Sequence, residues 1–372
     1  MPASSKHRFL PLLAAVAAAG AGHAQTYEND TGGTVTFYGQ FSPTLLYVDD
    51  GAETTSVLAD NANSNSRLGF NLDQEAANGN RFRFTFEAAI GFPQTSDFDQ
   101  GDEEPFWEWQ VTDLRKAEVR YRGEFGEVYL GQGSMATDGA AGADLSGTGI
   151  AGTVAMPDTA GGFAFRNSDT EAVEPVTIDD VFTDFDGSRR FRLRYDTREI
   201  AGFSGAVAYG TNELSEGDED VYYDVAVYYG DTLGEVEIEG GLGYAWRERD
   251  ASGETTENWV GSLALLHSPT GLNGAVAFGG DPDQGRYGYV KLGYRADILT
   301  IGASNVSVDY YSGQDVELDG DESTAWGVQF VQRWDAASLE MYVSYRNHAL
   351  EDDFPADYDD ISATLAGLRW RF

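Results

Sequence analysis

Cysteine is absent from the 372-residue chain, so no disulfide, thiolate metal site or cysteine nucleophile is available. Basic side chains are scarce: 24 Lys and Arg stand against 62 Asp and Glu. That balance excludes the basic footprint a nucleic-acid binder needs. Histidine is almost missing, with only His267 and His348 beyond residue 24. After residue 24 no stretch approaches 18 consecutive apolar residues, which excludes insertion into a membrane by helices. What the chain does have is glycine, 45 residues, and aromatics: 7 Trp, 20 Tyr and 21 Phe. With 41% hydrophobic residues there is too much to bury for a disordered chain.

The first residues read as an address rather than as structure. Lys6 and Arg8 precede a charge-free apolar run from Leu10 to Ala21, and Gly22-His23-Ala24 supplies small residues before Gln25. This order predicts a secretory signal peptide over 1–24; the run is too short to span a bilayer. Residues 25–372 then carry 62 acidic against 22 basic side chains, a net charge of −40.

Past Gln25 the dominant pattern has a period of two. Arg81-Phe82-Arg83-Phe84-Thr85-Phe86-Glu87 puts three Phe on one face, and Arg190-Phe191-Arg192-Leu193-Arg194-Tyr195 and Glu235-Val236-Glu237-Ile238-Glu239 repeat the theme. Each run reads as a strand with one apolar and one polar face. About sixteen such runs are expected, near 34–47, 66–72, 81–91, 113–122, 126–132, 189–196, 202–210, 221–229, 234–247, 258–267, 272–279, 286–295, 303–311, 324–334, 338–347 and 361–372. Short turns such as 123–125 and 335–337 alternate with longer acidic connections over 49–65, 92–112, 211–220, 248–257, 312–323 and 348–360. One connection, 133–188, is exceptional in length and rich in Gly and Ala.

A soluble β-sandwich also alternates apolar and polar positions. A closed all-β transmembrane barrel of sixteen antiparallel strands is favoured by three features: no linker breaks the chain, short and long connections alternate strictly, and Tyr and Trp gather near strand ends. A sheet in lipid cannot leave an open edge, and sixteen strands enclose a lumen wide enough for water. At the end of the chain, Leu368, Trp370 and Phe372 alternate with Gly367, Arg369 and Arg371. This ending resembles the last strand of Gram-negative outer-membrane proteins, in which a final Phe serves the barrel assembly machinery.

Several stretches resemble the general porins of Gram-negative bacteria: Ser66-Arg67-Leu68-Gly69-Phe70, the hairpin from Arg115 to Gln132, and Arg194-Tyr195-Asp196 followed by Ala201-Gly202-Phe203-Ser204-Gly205. Together, in order, they cover the chain after the leader. The resemblance implies a homotrimer of 16-stranded barrels in the outer membrane, among lipid and lipopolysaccharide, each with its third long loop (133–188) folded into the lumen. Glycines 139, 142, 147, 149 and 152 suit that loop to tight packing, and the apolar pieces Ile150 to Met156 and Phe163 to Phe165 argue for its burial.

Arg190, Arg192 and Arg194 share the polar face of one strand, Arg81 and Arg83 that of another, and Arg67 and Arg120 also sit on polar faces. They form the expected basic wall of a constriction. The long loop supplies Asp138, Asp144, Asp158, Asp169, Glu171 and Glu174 as its acidic side. At ~0.15 M salt the screening length is about 8 Å, so a transverse field survives in a narrow passage and fades in wide vestibules. Replacing Arg83 and Arg192 is then expected to strengthen a weak preference for cations.

Catalysis is not expected: no G-x-S-x-G turn accompanies the two histidines, and no phosphate loop is present. No cofactor is implied. The run Asp315-x-Glu317-x-Asp319-Gly320-Asp321 resembles the opening of a calcium loop, but Trp326 stands where the bidentate Glu belongs. Loose Ca²⁺ binding by Asp315, Asp319 and Asp321 is the most such a loop would support. The expected function is a water-filled channel for passive diffusion of small hydrophilic solutes and ions. A substrate-specific channel with a dedicated site at the constriction is the alternative.

Overall fold

The computed structural model describes residues 25–372, apart from 31, 102–103, 216, 283–284, 318–319 and 353–356. The expected leader over 1–24 lies outside the described residues.

Sixteen antiparallel strands form the fold. β1 runs Thr34–Phe41 and resumes as Pro43–Asp49; β2 runs Thr54–Asp60 and resumes as Arg67–Glu75. They are followed by β3 (Arg81–Ala89), β4 (Leu114–Gly123), β5 (Gly126–Ser134), β6 (Arg189–Asp196) and β7 (Phe203–Thr211). Then come β8 (Val221–Leu233), β9 (Val236–Glu248), β10 (Thr255–His267), β11 (Leu272–Gly280) and β12 (Arg286–Leu299). β13 (Gly302–Gln314), β14 (Glu322–Trp334), β15 (Leu339–Glu351) and β16 (Ile361–Arg371) complete the set. Each strand pairs with the next, and β16 also pairs with β1 in the register Leu365 to Leu46, which closes the sheet into a barrel. Gln25–Glu28 adds a short strand beside the start of β1.

Burial decides between barrel and sandwich. Phe191 and Leu193 are 45% and 54% exposed, whereas Arg192 between them is 2% exposed. Val225 and Val227 are likewise exposed, and Asp224 is buried. The apolar face looks outward and the polar face inward, the reverse of a soluble sandwich and the pattern a lipid-facing barrel requires.

The structure departs from the sequence expectation at 49–65. Thr54–Asp60 pairs with Pro43–Asp49, so the connection shrinks to residues 50–53. Thr54, Thr55 and Ser56 lack an apolar face, and their pairing is set by the neighbouring strand rather than by their own pattern. The short turns on the opposite rim are tight. At Gly271, with φ of 73°, an added Cβ would lie 1.8 Å from the Arg295 carbonyl oxygen, so no other residue fits that turn.

The long connection between β5 and β6 has structure of its own. Ala164–Asn167 pairs with Val173–Thr177, and Tyr358–Asp359, from the connection before β16, pairs with Ala164–Asn167 as a third strand. A single helical turn, Ile178–Val181, is capped by the Thr177 hydroxyl. The largest core forms where this connection meets the buried strand faces: Phe163, Phe165, Phe182 and Met156 pack in one cluster with Leu46, Tyr311 and Leu365.

Candidate functional site

The connection between β5 and β6 is fastened along its length to inward side chains of the strands. At its start, Thr137 donates from its backbone N and its hydroxyl to Asp224 on β8, each at 2.7 Å. Ser262 of β10 donates to the Ala140 carbonyl at 2.6 Å. Lys291 of β12, almost fully buried, donates to Asp144 at 2.8 Å and to the Gly152 carbonyl at 2.9 Å. Asn61 bonds the Ile150 carbonyl at 2.8 Å, and Thr148 shares a 2.6 Å hydrogen bond with Ser307 of β13. Near its end, Tyr311 donates to the Thr183 carbonyl at 2.8 Å.

This segment and the strands bound a cavity of about 740 Å³. Its basic lining is Arg67, Arg115, Arg189 and Arg190; its acidic lining includes Asp138, Asp144, Asp158, Asp184 and Asp186. Of the arginines expected from the sequence, Arg67 and Arg190 are therefore at the cavity. The other five are outside its lining. Arg192 is buried in a bond network with Glu118 and the Gly131 and Ser134 carbonyls. Arg194 is held by Asp196 at 2.7 Å and by the Met135 carbonyl at 2.6 Å. Arg83 pairs with Asp73 at 2.7 Å and Arg120 with Glu127 at 3.2 Å, while Arg81 is exposed near the rim, opposite Arg122. Of the expected acids, Asp138, Asp144 and Asp158 line the cavity. Asp169, Glu171 and Glu174 belong to the hairpin joining Ala164–Asn167 to Val173–Thr177 and its second strand, away from that lining.

Four cavity residues are not foreseen by alternation. Arg115 lies on the apolar parity of β4, but the β3–β4 register shifts between Glu87 and Ala88. The bulge leaves Arg115 as the extra residue and turns it inward, where it donates to Glu87 at 2.8 Å. Arg189 opens β6 on the parity of Phe191 and Leu193, in unbroken register opposite Ser134, yet it lines the cavity. Asp184 and Asp186 stand just before β6 in irregular backbone, and only the density of acids from Asp179 onward marked the region.

The acids are not equivalent. Burial would raise the Asp144 carboxyl, but the Lys291 ammonium and hydrogen bonds from Ser146 hold it below the usual carboxylate range. Burial, together with the neighbouring Asp184, pushes Asp158 up to about 7 against the pull of Arg346. Asp186 is raised to about 7 by burial and by Asp184, although it accepts from the Gly139 and Ala141 amides. Burial raises Asp184 as well.

The residues proposed for calcium are engaged locally. Asp321 accepts from the Val316 and Glu317 amides at 2.8 and 2.9 Å, and Asp315 accepts from Gly320 at 2.8 Å. Asp319 lies outside the described residues. No group of three metal-ligating side chains converges among the described residues. At the chain end, Phe372 exchanges two backbone hydrogen bonds with Gly39 and its ring packs on Trp370 at 4.9 Å.

A closed barrel with apolar exterior, polar interior and a charged internal cavity is an outer-membrane channel architecture. A family model described as Gram-negative porin matches residues 12–353, and the chain belongs to that family. Among curated proteins none matches. Solved structures share the fold at low identity. The anion-selective porin from Comamonas acidovorans is 17% identical with a TM-score of 0.59, over 91% of this chain and all of that one. The outer membrane channel DcaP of Acinetobacter baumannii is 12% identical with a TM-score of 0.57, over 93% and 99%. A trimer form of in-vitro folded OmpT, an outer membrane protein of Vibrio cholerae, is 14% identical with a TM-score of 0.56, over 91% and 99%.

Proposed function

We propose that this porin is a passive, water-filled diffusion channel for small hydrophilic solutes and ions, with a weak preference for cations. The connection between β5 and β6, residues 135–188, is the constriction loop, folded into the lumen. One observation carries the reading: a single cavity is bounded by guanidiniums from the strands and carboxylates from that segment. Arg67 and Arg115 share Glu87, at 3.8 and 2.8 Å, so their charge is partly balanced. Asp144 is balanced by Lys291. The transverse field therefore rests on Arg189 and Arg190 against Asp138, Asp158, Asp184 and Asp186. The cation preference follows from the −40 excess, which raises cation concentration at the mouth. Export by cleavage after Ala24 and assembly as a homotrimer belong to the same proposal.

Planar-bilayer recording tests it directly. The expected result is ohmic, stepwise conductance and a reversal potential displaced modestly toward the cation side in a salt gradient. Saturating transport of one solute class, or no steps at all, would replace it with a substrate-specific channel or a non-conducting barrel.

A further inference from the structure

A second, smaller recess adjoins the first and has its own chemistry. It measures about 230 Å³, below the ~300 Å³ lower end of sites for drug-sized ligands, so it suits a small metabolite. Asp186, Gly187, Ser188 and Arg190 border both spaces. From the strands come the inward side chains of Tyr222 and Asp224 on β8, Arg247 on β9, and Thr256 and Asn258 on β10.

Two features set it apart from a generic polar vestibule. The first is an unsatisfied pair. Asp224 is 3% exposed; its Oδ2 accepts from Thr137, its Oδ1 is buried without a hydrogen bond of good geometry, and the Ala136 amide and Arg194 are its other polar neighbours. The Nε of Arg190 is also buried without a partner, and Arg190 enters no ion pair among the described residues; its Nη1 donates only to the Arg189 carbonyl. Orphaned buried polar atoms are costly and uncommon, and here an acceptor and a donor without partners belong to two residues that line one small space. The second is a ring face. Arg190 lies 4.3 Å and Arg247 5.6 Å from the centre of the Tyr222 ring, which fixes both guanidiniums against it. Arg247 is already neutralised by Asp220 at 2.6 Å, which leaves Arg190 as the cation open to a solute.

We propose that this recess is a binding subsite for small zwitterions, α-amino acids in particular. The carboxylate of the solute rests on the Arg190 guanidinium and its ammonium on Asp224. Asp186 and Asp281 also border the recess, but Asp224 and Arg190 are the pair that carries orphaned polar atoms, and a neutral dipole complements such a pair better than either simple ion does. Glu257 and Trp246 border the recess from the outward parity of their strands, and the Glu257 carboxylate is engaged by the Tyr244 hydroxyl.

Calorimetric titration of the purified, detergent-solubilised protein with glycine and L-serine tests the proposal, with acetate and methylamine as single-charge controls. Binding is read without conduction, so failure here is separate from failure of the channel reading. The expected result is saturable amino-acid binding at millimolar concentrations and binding of each control at least about tenfold weaker, as expected when one charge-assisted hydrogen bond is lost. Asp224→Asn keeps an oxygen for Thr137 and should weaken glycine binding about tenfold. Should that variant misfold, Thr256→Trp fills the recess from another strand and should abolish binding while the heat stability of the barrel is kept. Glycine binding equal to that of acetate, absence of saturation, or binding that survives Thr256→Trp would each overturn the assignment.

Discussion

Arg189 and Arg190 matter because neither enters an ion pair among the described residues. Neighbouring arginines of β6 are spent on structure: Arg192 on Glu118 and two carbonyls, Arg194 on Asp196. Substituting Arg83 and Arg192, the pair singled out by alternation, is therefore expected to leave the reversal potential unmoved, and loss of Arg192 should chiefly lower assembly yield. Arg189→Gln with Arg190→Gln should act on the pore. One unit charge at 8 Å in water is worth about 0.5 kcal/mol and acts with opposite sign on cations and anions, so removing two should raise the cation-to-anion permeability ratio by about 2 kcal/mol, roughly thirtyfold before screening, at low salt. A ratio unchanged in the double variant would show that conduction bypasses the cavity. The acids add a pH dependence. Asp158 and Asp186 are raised to about 7, so they are neutral well below that pH and ionised above it. Cation preference should accordingly rise between pH 6 and 8 and fall on acidification, and Asp158→Asn with Asp186→Asn should flatten the profile. Reversal potentials measured across that range decide the matter.

At the scale of elements, the segment between β5 and β6 is held by side chains rather than by a long backbone ladder to the barrel. Lys291 is its central anchor, since a single ammonium holds both Asp144 and the Gly152 carbonyl. Lys291→Met leaves a buried carboxylate without its partner, a change that costs about 3–5 kcal/mol in comparable sites. The barrel should survive, because its ladders are separate, and the segment should loosen. Single-channel records of the variant should show larger current noise and more frequent closures than the parent; traces as quiet as the parent's would mean the remaining anchors suffice. At the other end the segment is held by an aromatic ladder, Phe182 against Tyr311 at 5.2 Å and Tyr311 stacked on Tyr287 at 5.4 Å.

For the whole molecule, wall height is uneven. β3 to β7 span 8–10 residues, whereas β8 to β10 span 13. At about 3.3 Å per residue and a tilt near 45°, nine residues rise about 21 Å and thirteen about 30 Å, against an apolar band of about 25 Å. The low wall adjoins an outward cluster of Phe37, Phe70, Phe84 and Phe86, with ring centroids 5.6–6.1 Å apart and lying mid-strand rather than at the interface. Both features fit a wall shielded by a second copy. Unheated gel samples should run as trimers and heated ones as monomers, and Phe86→Arg should shift the unheated band to monomer. Deleting Phe372 removes the ring that packs on Trp370 and the exchange with Gly39, and should reduce the folded trimer recovered from outer membranes. Full recovery of the truncated chain would make the terminal contacts dispensable.

Period-two patterning determined the strands and the sidedness of most of them, because each strand side chain has only two directions to take and lipid admits only one kind. Arg190, with Phe191 beside it, is legible on that rule alone. The signal ended where the rule ended. Thr54–Asp60 has too little apolar contrast to declare itself a strand, and its pairing came from Pro43–Asp49. Arg115 was turned inward by a bulge that depends on the partner strand, and Asp184 and Asp186 were brought to the cavity by irregular backbone with no period at all. Which charges remain free was beyond the sequence for the same reason. Sign and spacing are local, but neutralisation by Lys291, Glu118 or Glu87 joins residues 20 to 147 positions apart, and only the closed barrel brings them together.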